Sequence, residues 1–179
     1  MIATLDIIAT FAFALVGARI AADRRMDYGG ILLIATVASL TGGSLRNLFL
    51  GERPIWLQQP WYFLSILLAV AITIALRITR PVGKVVLGMD TLGLAVATVS
   101  GVQYSLNHYA PSYAAVILGV LTAVAGGLLR DVLCQVEPVL LHRETIGSSC
   151  TVGALAYVLL EPSSLPNGVV AIISGAIII

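Results

Sequence analysis

Thr41-Gly42-Gly43-Ser44-Leu45-Arg46-Asn47 and Ala125-Gly126-Gly127-Leu128-Leu129-Arg130-Asp131 are two copies of one pattern. Each is a glycine pair inside an apolar run, closed by an arginine and then an amide or a carboxylate. The copies lie 84 positions apart. At the same offset, with no gap, Asp6 falls on Asp90, Gly17 on Gly101, Leu45 on Leu129 and Pro54 on Pro138. Leucine and glycine matches between apolar segments come cheaply. Aspartate and arginine are rare inside such segments, and both match here, so the offset marks a duplicated unit.

Outward from these copies the chain is a series of apolar runs. It is 59% hydrophobic and 11% charged, with a mean hydropathy of +1.00. A soluble domain carries about 25% charged residues. The runs cover 5–22, 29–50, 62–79, 86–105, 112–134, 146–160 and 168–179. A spanning helix needs about 20 mostly apolar residues, so the expected class is an all-α integral membrane protein with seven transmembrane helices. Alternating polarity in ten-residue stretches, the mark of a membrane β-barrel, is missing from the sequence. Short polar breaks such as Arg53-Pro54, Arg80-Pro81, Ala110-Pro111 and Glu161-Pro162 separate the runs. The first run lacks a basic start and is followed by Arg24-Arg25, so it reads as a retained span rather than a signal peptide. The last run stops on Ile177-Ile178-Ile179, which we read as a truncated end.

The expected units are 1–84, a first three-helix repeat; 85–162, a second; and 163–179, a seventh helix. Three helices is an odd number, so the second repeat enters from the opposite side. The halves are then inverted about an axis in the membrane plane, an arrangement that places a site where they meet. Arg19, Arg24, Arg25, Arg77, Arg80, Lys84, Arg130 and Arg143 fall on the side reached after helices one, three and five; only Arg46 and Arg53 fall on the other. The basic side is cytoplasmic. The expected location is therefore the inner membrane, with the N-terminus outside and the C-terminus cytoplasmic.

Four kinds of residue are candidates for the site. Gly42, Gly43, Gly126 and Gly127 either interrupt their helices or admit a neighbouring backbone at close range. Arg46 and Arg130 share a helix face with the glycines before them. They either snorkel to the interface or face water and a partner, because an uncompensated membrane arginine is costly. Asp6 and Asp90 either cap helix starts or supply that partner. By depth, Asp6 can meet Arg46 and Asp90 can meet Arg130, and the crossed pairs are disfavoured. Asn47 facing Asp131 leaves the second half with one more carboxylate. Thr41 and Ala125 open the two motifs, and Thr36, Ser39, Ser44 and Thr122 add hydroxyls that line a path or bond their own helices. Trp56, Trp61 and Tyr62 suit an interfacial aromatic belt.

Other chemistry is not supported. His108 and His142 have no metal spacing, and Cys134 and Cys150 read as buried thiols without a disulfide or metal pattern. A net charge of +1 gives no stripe for nucleic acid. No nucleophile–base pair points to an enzyme, and nothing calls for a cofactor.

The two Gly-Gly-x-x-Arg-(Asp/Asn) motifs, each followed by Pro54 or Pro138, together with Asp6 ahead of Phe11-Ala12-Phe13-Ala14, resemble the prokaryotic TRIC family of trimeric intracellular cation channels. The same family is also labelled glycine-transporter-like. The resemblance covers nearly the whole chain. It implies seven transmembrane helices, a homotrimer in membrane lipid, and one ion pathway through each protomer. It also implies weakly selective, potassium-permeable conduction that admits sodium, with helices two and five broken at the glycines. Two departures stand out: Thr41 and Ala125 occupy the first of three usual glycine positions, and Asn47 stands where aspartate is usual. A channel, a carrier of a small zwitterion such as glycine and a non-transporting scaffold all remain open at this point.

Overall fold

The computed structural model describes residues 2–76, 84–138, 144–161 and 166–179. Arg77, Arg80, Pro81, His142, Arg143 and Pro162, all weighed above, lie outside the described residues, as do 77–79 of the expected third span. Among the described residues all regular structure is helical. The α-helices are α1 Ile2–Asp23, α2 Tyr28–Phe49, α3 Trp61–Ala75, α4 Lys84–Asn107, α5 Ser112–Leu133, α6 Glu144–Leu160 and α7 Asn167–Ile178, with a 3₁₀ turn at Ile55–Leu57. Helices α1, α2, α4 and α5 each present 22 apolar-rich residues, or about 33 Å of helix, enough to cross a hydrocarbon core. The other three are shorter apolar helices. Leu33, Leu64, Leu67, Leu68, Ile117 and Leu159 are all exposed on the outside. A surface so apolar suits lipid and not water.

Lipid removes most of the hydrophobic drive for helix association, so close packing must supply it. The core is accordingly built from small residues: Ala14, Ala18, Ala21, Ala35, Ala69 and Ala115 have no exposed surface. The two sharpest contacts are reciprocal. A Cβ on Gly42 would overlap the Thr122 carbonyl oxygen, and a Cβ on Gly126 would overlap the Ala38 carbonyl oxygen. Moving each partner by one repeat offset into the other half, 126 to 42 and 38 to 122, turns one contact into the other. This is the signature of a two-fold axis through the α2–α5 crossing. Residue 38 meets 126 while residue 42 meets 122, so the two helices run antiparallel. A two-fold axis parallel to the helices would have made them parallel; this one lies across them, and the repeats are inverted. Gly17 packs on Ala35 and Ala38 in the first repeat, and Gly101 packs on Gly119 and Thr122 in the second, again the same contact displaced. At the α1–α4 contact, Phe13 sits against Gly93.

The helix ends repeat as well. Among the described residues, those with positive φ are Arg25 (58°), Gly51 (73°), Tyr109 (59°) and Gln135 (52°). They form two pairs at the repeat offset. Each sits just past a helix, and each helix closes with a six-residue backbone bond: Met26 N to Ala21 O at 3.2 Å, Ala110 N to Ser105 O at 3.0 Å, Glu52 N to Asn47 O at 2.8 Å and Val136 N to Asp131 O at 3.0 Å. This is the Schellman ending. Only Gly51 has the residue best suited to it. The side chains diverged while the backbone did not. Gln135→Gly should therefore stabilise the protein by about 0.5–1 kcal/mol, because relief of the left-handed strain outweighs the added freedom of the unfolded chain. Thermal unfolding in detergent measures this, and a lower midpoint would contradict it.

Candidate functional site

Arg46 sits in the last turn of α2 and Arg130 in the last turn of α5. They are 1% and 2% exposed, so neither snorkels out of the protomer. Arg46 reaches α1 and donates to both carboxylate oxygens of Asp6, Nη1 to Oδ1 at 3.3 Å and Nη2 to Oδ2 at 3.0 Å. Arg130 reaches α4 and donates from Nη1 to Asp90 Oδ1 at 2.7 Å. Both pairs join residues 40 positions apart. The aspartates therefore serve as partners, not as helix caps. Each arginine also donates from Nε to the residue after it, to Asn47 Oδ1 at 3.1 Å and to Asp131 Oδ1 at 2.8 Å. The first cluster (Asp6, Arg46, Asn47) is formally neutral, and the second (Asp90, Arg130, Asp131) carries one negative charge.

The Asn47/Asp131 asymmetry has a structural cause. Asn47 Nδ2 donates to the Arg53 carbonyl at 2.9 Å and to the Tyr104 hydroxyl at 3.3 Å. A carboxylate cannot donate to a carbonyl. Tyr104 also lies flat under Arg46, with Cζ 4.1 Å from the ring centroid, a cation–π contact. The repeat offset puts Ile20 at the matching place in the first half, so sequence comparison gave Tyr104 no weight.

The helices are not broken at the glycines. Helix α2 is continuous from Tyr28 to Phe49 and α5 from Ser112 to Leu133, which corrects the expectation of an interruption. The missing Cβ is spent on the crossing instead, where Gly42 and Gly126 admit a partner carbonyl. The other glycine of each pair behaves differently. A Cβ on Gly43 or Gly127 would meet only the guanidinium of Arg46 or Arg130, at 3.9 and 3.7 Å. These two glycines line cavities. Thus each motif holds one packing glycine and one cavity glycine.

The cavities sit on opposite sides of the crossing. The first, about 40 Å³, is lined by Asp6, Thr10, Phe13, Ser39, Gly43, Arg46, Trp56, Tyr62 and Thr122 among others. The second, about 20 Å³, is lined by Asp90, Leu94, Val124, Gly127, Leu128, Arg130, Asp131 and Ile146. Arg46 and Arg130 each stand six residues beyond the centre of the crossing, so they lie about 18 Å apart along the helices at 1.5 Å per residue. At matched positions Thr10 is replaced by Leu94 and Tyr62 by Ile146. Both cavities have apolar walls, and the first adds hydroxyls at two places where the second has aliphatic side chains.

The hydroxyls have a direction. Thr10 donates to the Asp6 carbonyl at 2.7 Å, Ser39 to Ala35 at 2.7 Å and Thr122 to Leu118 at 2.6 Å. Each has only one proton to give, so what remains for the cavity is oxygen lone pairs. Ser44 donates to the Leu40 carbonyl at 2.7 Å and accepts from Trp56 Nε1 at 2.9 Å. Thr41 bonds the Val37 carbonyl at 2.6 Å and, like Ala125, does not line either cavity. Tyr62, expected at the lipid interface, is 4% exposed and lines the first cavity, whereas Trp61 is 61% exposed.

A family model described as "Glycine transporter" matches residues 3–77 and 87–162, two stretches whose starts are one repeat offset apart. The UPF0126 inner membrane protein YadS of Escherichia coli (strain K12) is 35% identical over 156 residues, covering 86% of this chain and 75% of that protein. The UPF0126 membrane protein YvgT of Bacillus subtilis (strain 168) is 30% identical over 158 residues, covering 84% and 76%. The structure of the TRIC trimeric intracellular cation channel orthologue from Rhodobacter sphaeroides superposes with a TM-score of 0.93 at 31% identity, over 98% of this chain and 92% of that one. A prokaryotic TRIC channel in 0.5 M KCl, at 19% identity and a TM-score of 0.88, shares the fold. This chain is a multi-pass membrane protein and belongs to the TRIC family, whose sequence model carries the glycine-transporter description.

Proposed function

We propose that the chain forms a monovalent cation channel, permeable to potassium and sodium, with one pathway inside each protomer of a homotrimer. The observation that carries this reading is the lining of the first cavity: hydroxyl oxygens whose protons are committed elsewhere, beside an arginine already neutralised by Asp6. Such a lining favours cations, and paired charges remove most of the repulsion a bare arginine would exert. The similarity to TRIC cation channels supports it. The pathway runs from the first cavity, past the α2–α5 crossing, to the second. The units 1–84, 85–162 and 163–179 are its two inverted halves and a supporting seventh helix. The N-terminus lies outside and the C-terminus in the cytoplasm, following the arginine bias.

Unitary current steps from purified protein in planar bilayers test the channel directly. Under a KCl gradient the reversal potential should lie toward the potassium potential. Asp131→Asn should move it toward zero, because it removes the net negative charge of the second cluster. The same charge should concentrate cations at that mouth and make wild-type current larger in one direction. A wild-type potential at the chloride value would sink the cation reading.

One observation favours a second reading, a carrier of a small zwitterion. The two cavities are separated by a backbone-to-backbone crossing, as a closed carrier requires. Saturable glycine uptake in proteoliposomes, without unitary currents, would establish it.

A further inference from the structure

We infer that the first cavity is a binding site for a single, partly dehydrated monovalent cation, with the Tyr62 hydroxyl as its defining ligand; this rests on the channel reading. Three observations converge on it. The Tyr62 hydroxyl is buried and has no hydrogen-bond partner among the described residues. Tyr62 lines the same cavity as Asp6. An unpaired buried hydroxyl is costly in a membrane protein, so something polar belongs opposite it. The neighbouring Thr10 and Ser39 oxygens turn lone pairs, not protons, toward that space. These are ligands for a cation and not for an anion. Phe13 and Trp56 complete the wall with aromatic surface, which is also compatible with positive charge.

Size and charge limit the occupant. About 40 Å³ accommodates on the order of three water-sized spheres. That is room for one bare ion and one or two waters. Arg46 would repel such an ion, but both of its outer nitrogens are bonded to Asp6. The Asp6–Arg46 pair is neutral as a whole, so the attraction for a cation comes from the hydroxyl oxygens around it. The second half is a built-in comparison. It has the matching aspartate and arginine, but Leu94 and Ile146 replace Thr10 and Tyr62. The site therefore belongs to one half only.

Thallium, a potassium mimic with strong anomalous scattering, gives the direct test. Crystals of the wild-type protein grown with thallium should show an anomalous peak in the first cavity and none in the second. Tyr62→Phe keeps the ring and should remove the peak. In bilayers the same variant should raise the potassium concentration for half-maximal conductance about tenfold, the usual worth of a hydrogen-bonding group toward a charge. Thr10→Leu, which copies the second half, should act in the same direction. Tyr62→Phe should not lower thermal stability, since the hydroxyl it removes is unpaired within the protein. Solvent density without a thallium peak, or unchanged half-saturation in both variants, overturns the site while leaving conduction in place. A thallium peak in a protein that passes no current would uphold the site and remove the channel.

Discussion

Gly126→Ala should abolish accumulation of folded protein in the membrane, while Gly127→Ala, one residue away, should leave it nearly unchanged. A single methyl group decides the difference. At Gly126 it would overlap the Ala38 carbonyl, a backbone atom of a helix locked in place by its own hydrogen bonds. Overpacking costs about 1–3 kcal/mol when side chains can give way, and more when they cannot. At Gly127 the methyl group meets only the Arg130 guanidinium, at 3.7 Å, an ordinary contact. Gly42→Ala and Gly43→Ala should behave in the same way, because the α2–α5 contact is reciprocal. Fluorescence-detected gel filtration of membrane extracts compares all four variants in one experiment. A larger residue separates fold from flux: Gly127→Leu should assemble and yet block current, since it fills the second cavity. A tolerated Gly126→Ala would mean that the crossing is looser than described.

Asp6→Asn should be far more damaging than Asp90→Asn. Both remove a carboxylate from a buried arginine. Arg46 then keeps only neutral partners, Asn47 and the Tyr104 ring. Arg130 still has Asp131 at 2.8 Å. Stripping one member from a buried pair costs about 3–5 kcal/mol, and that figure applies to Asp6→Asn. Asp90→Asn should cost well under half as much. Current should follow the same order. An unpaired charge at 4 Å repels a cation by about 4 kcal/mol at an effective dielectric of 20, so Asp6→Asn should reduce potassium conductance on the order of a thousandfold. The double variant Asp6→Asn with Asn47→Asp should recover part of both losses by returning a carboxylate to Arg46. Equal effects of Asp6→Asn and Asp90→Asn would show that Asp131 does not compensate.

The sequence was most informative where the repeat and the membrane impose the same demand. The helix positions, the inversion and the two ion pairs follow from Asp6, Arg46, Asp90 and Arg130 recurring at one offset, because a charge in lipid must find a partner at its own depth. The fate of the glycines was less legible. A glycine that breaks a helix and one that admits a neighbour look alike in sequence, and only the positions of Thr122 and Ala38 tell them apart. The cavity lining was harder still. Thr10 and Tyr62 have no polar counterparts in the second half, so a search for matching residues passes over them. Tyr104 was hidden for the same reason. Repeat comparison finds what the halves share, whereas much of the candidate site lies in what they do not share.

The reciprocal contact between α2 and α5 also bears on heredity. Two separate three-helix chains could pair across the same axis, but every mutation in their single gene would then alter both mouths at once. A tyrosine gained at one end would be gained at the other. In the present chain the halves are encoded in tandem, so position 62 can be tyrosine while position 146 is isoleucine, and position 47 can be asparagine while 131 is aspartate. Fusion uncouples the two ends genetically while the crossing still holds them together mechanically. A pathway with unlike ends, able to treat an ion differently according to the side it enters from, becomes accessible by single substitutions.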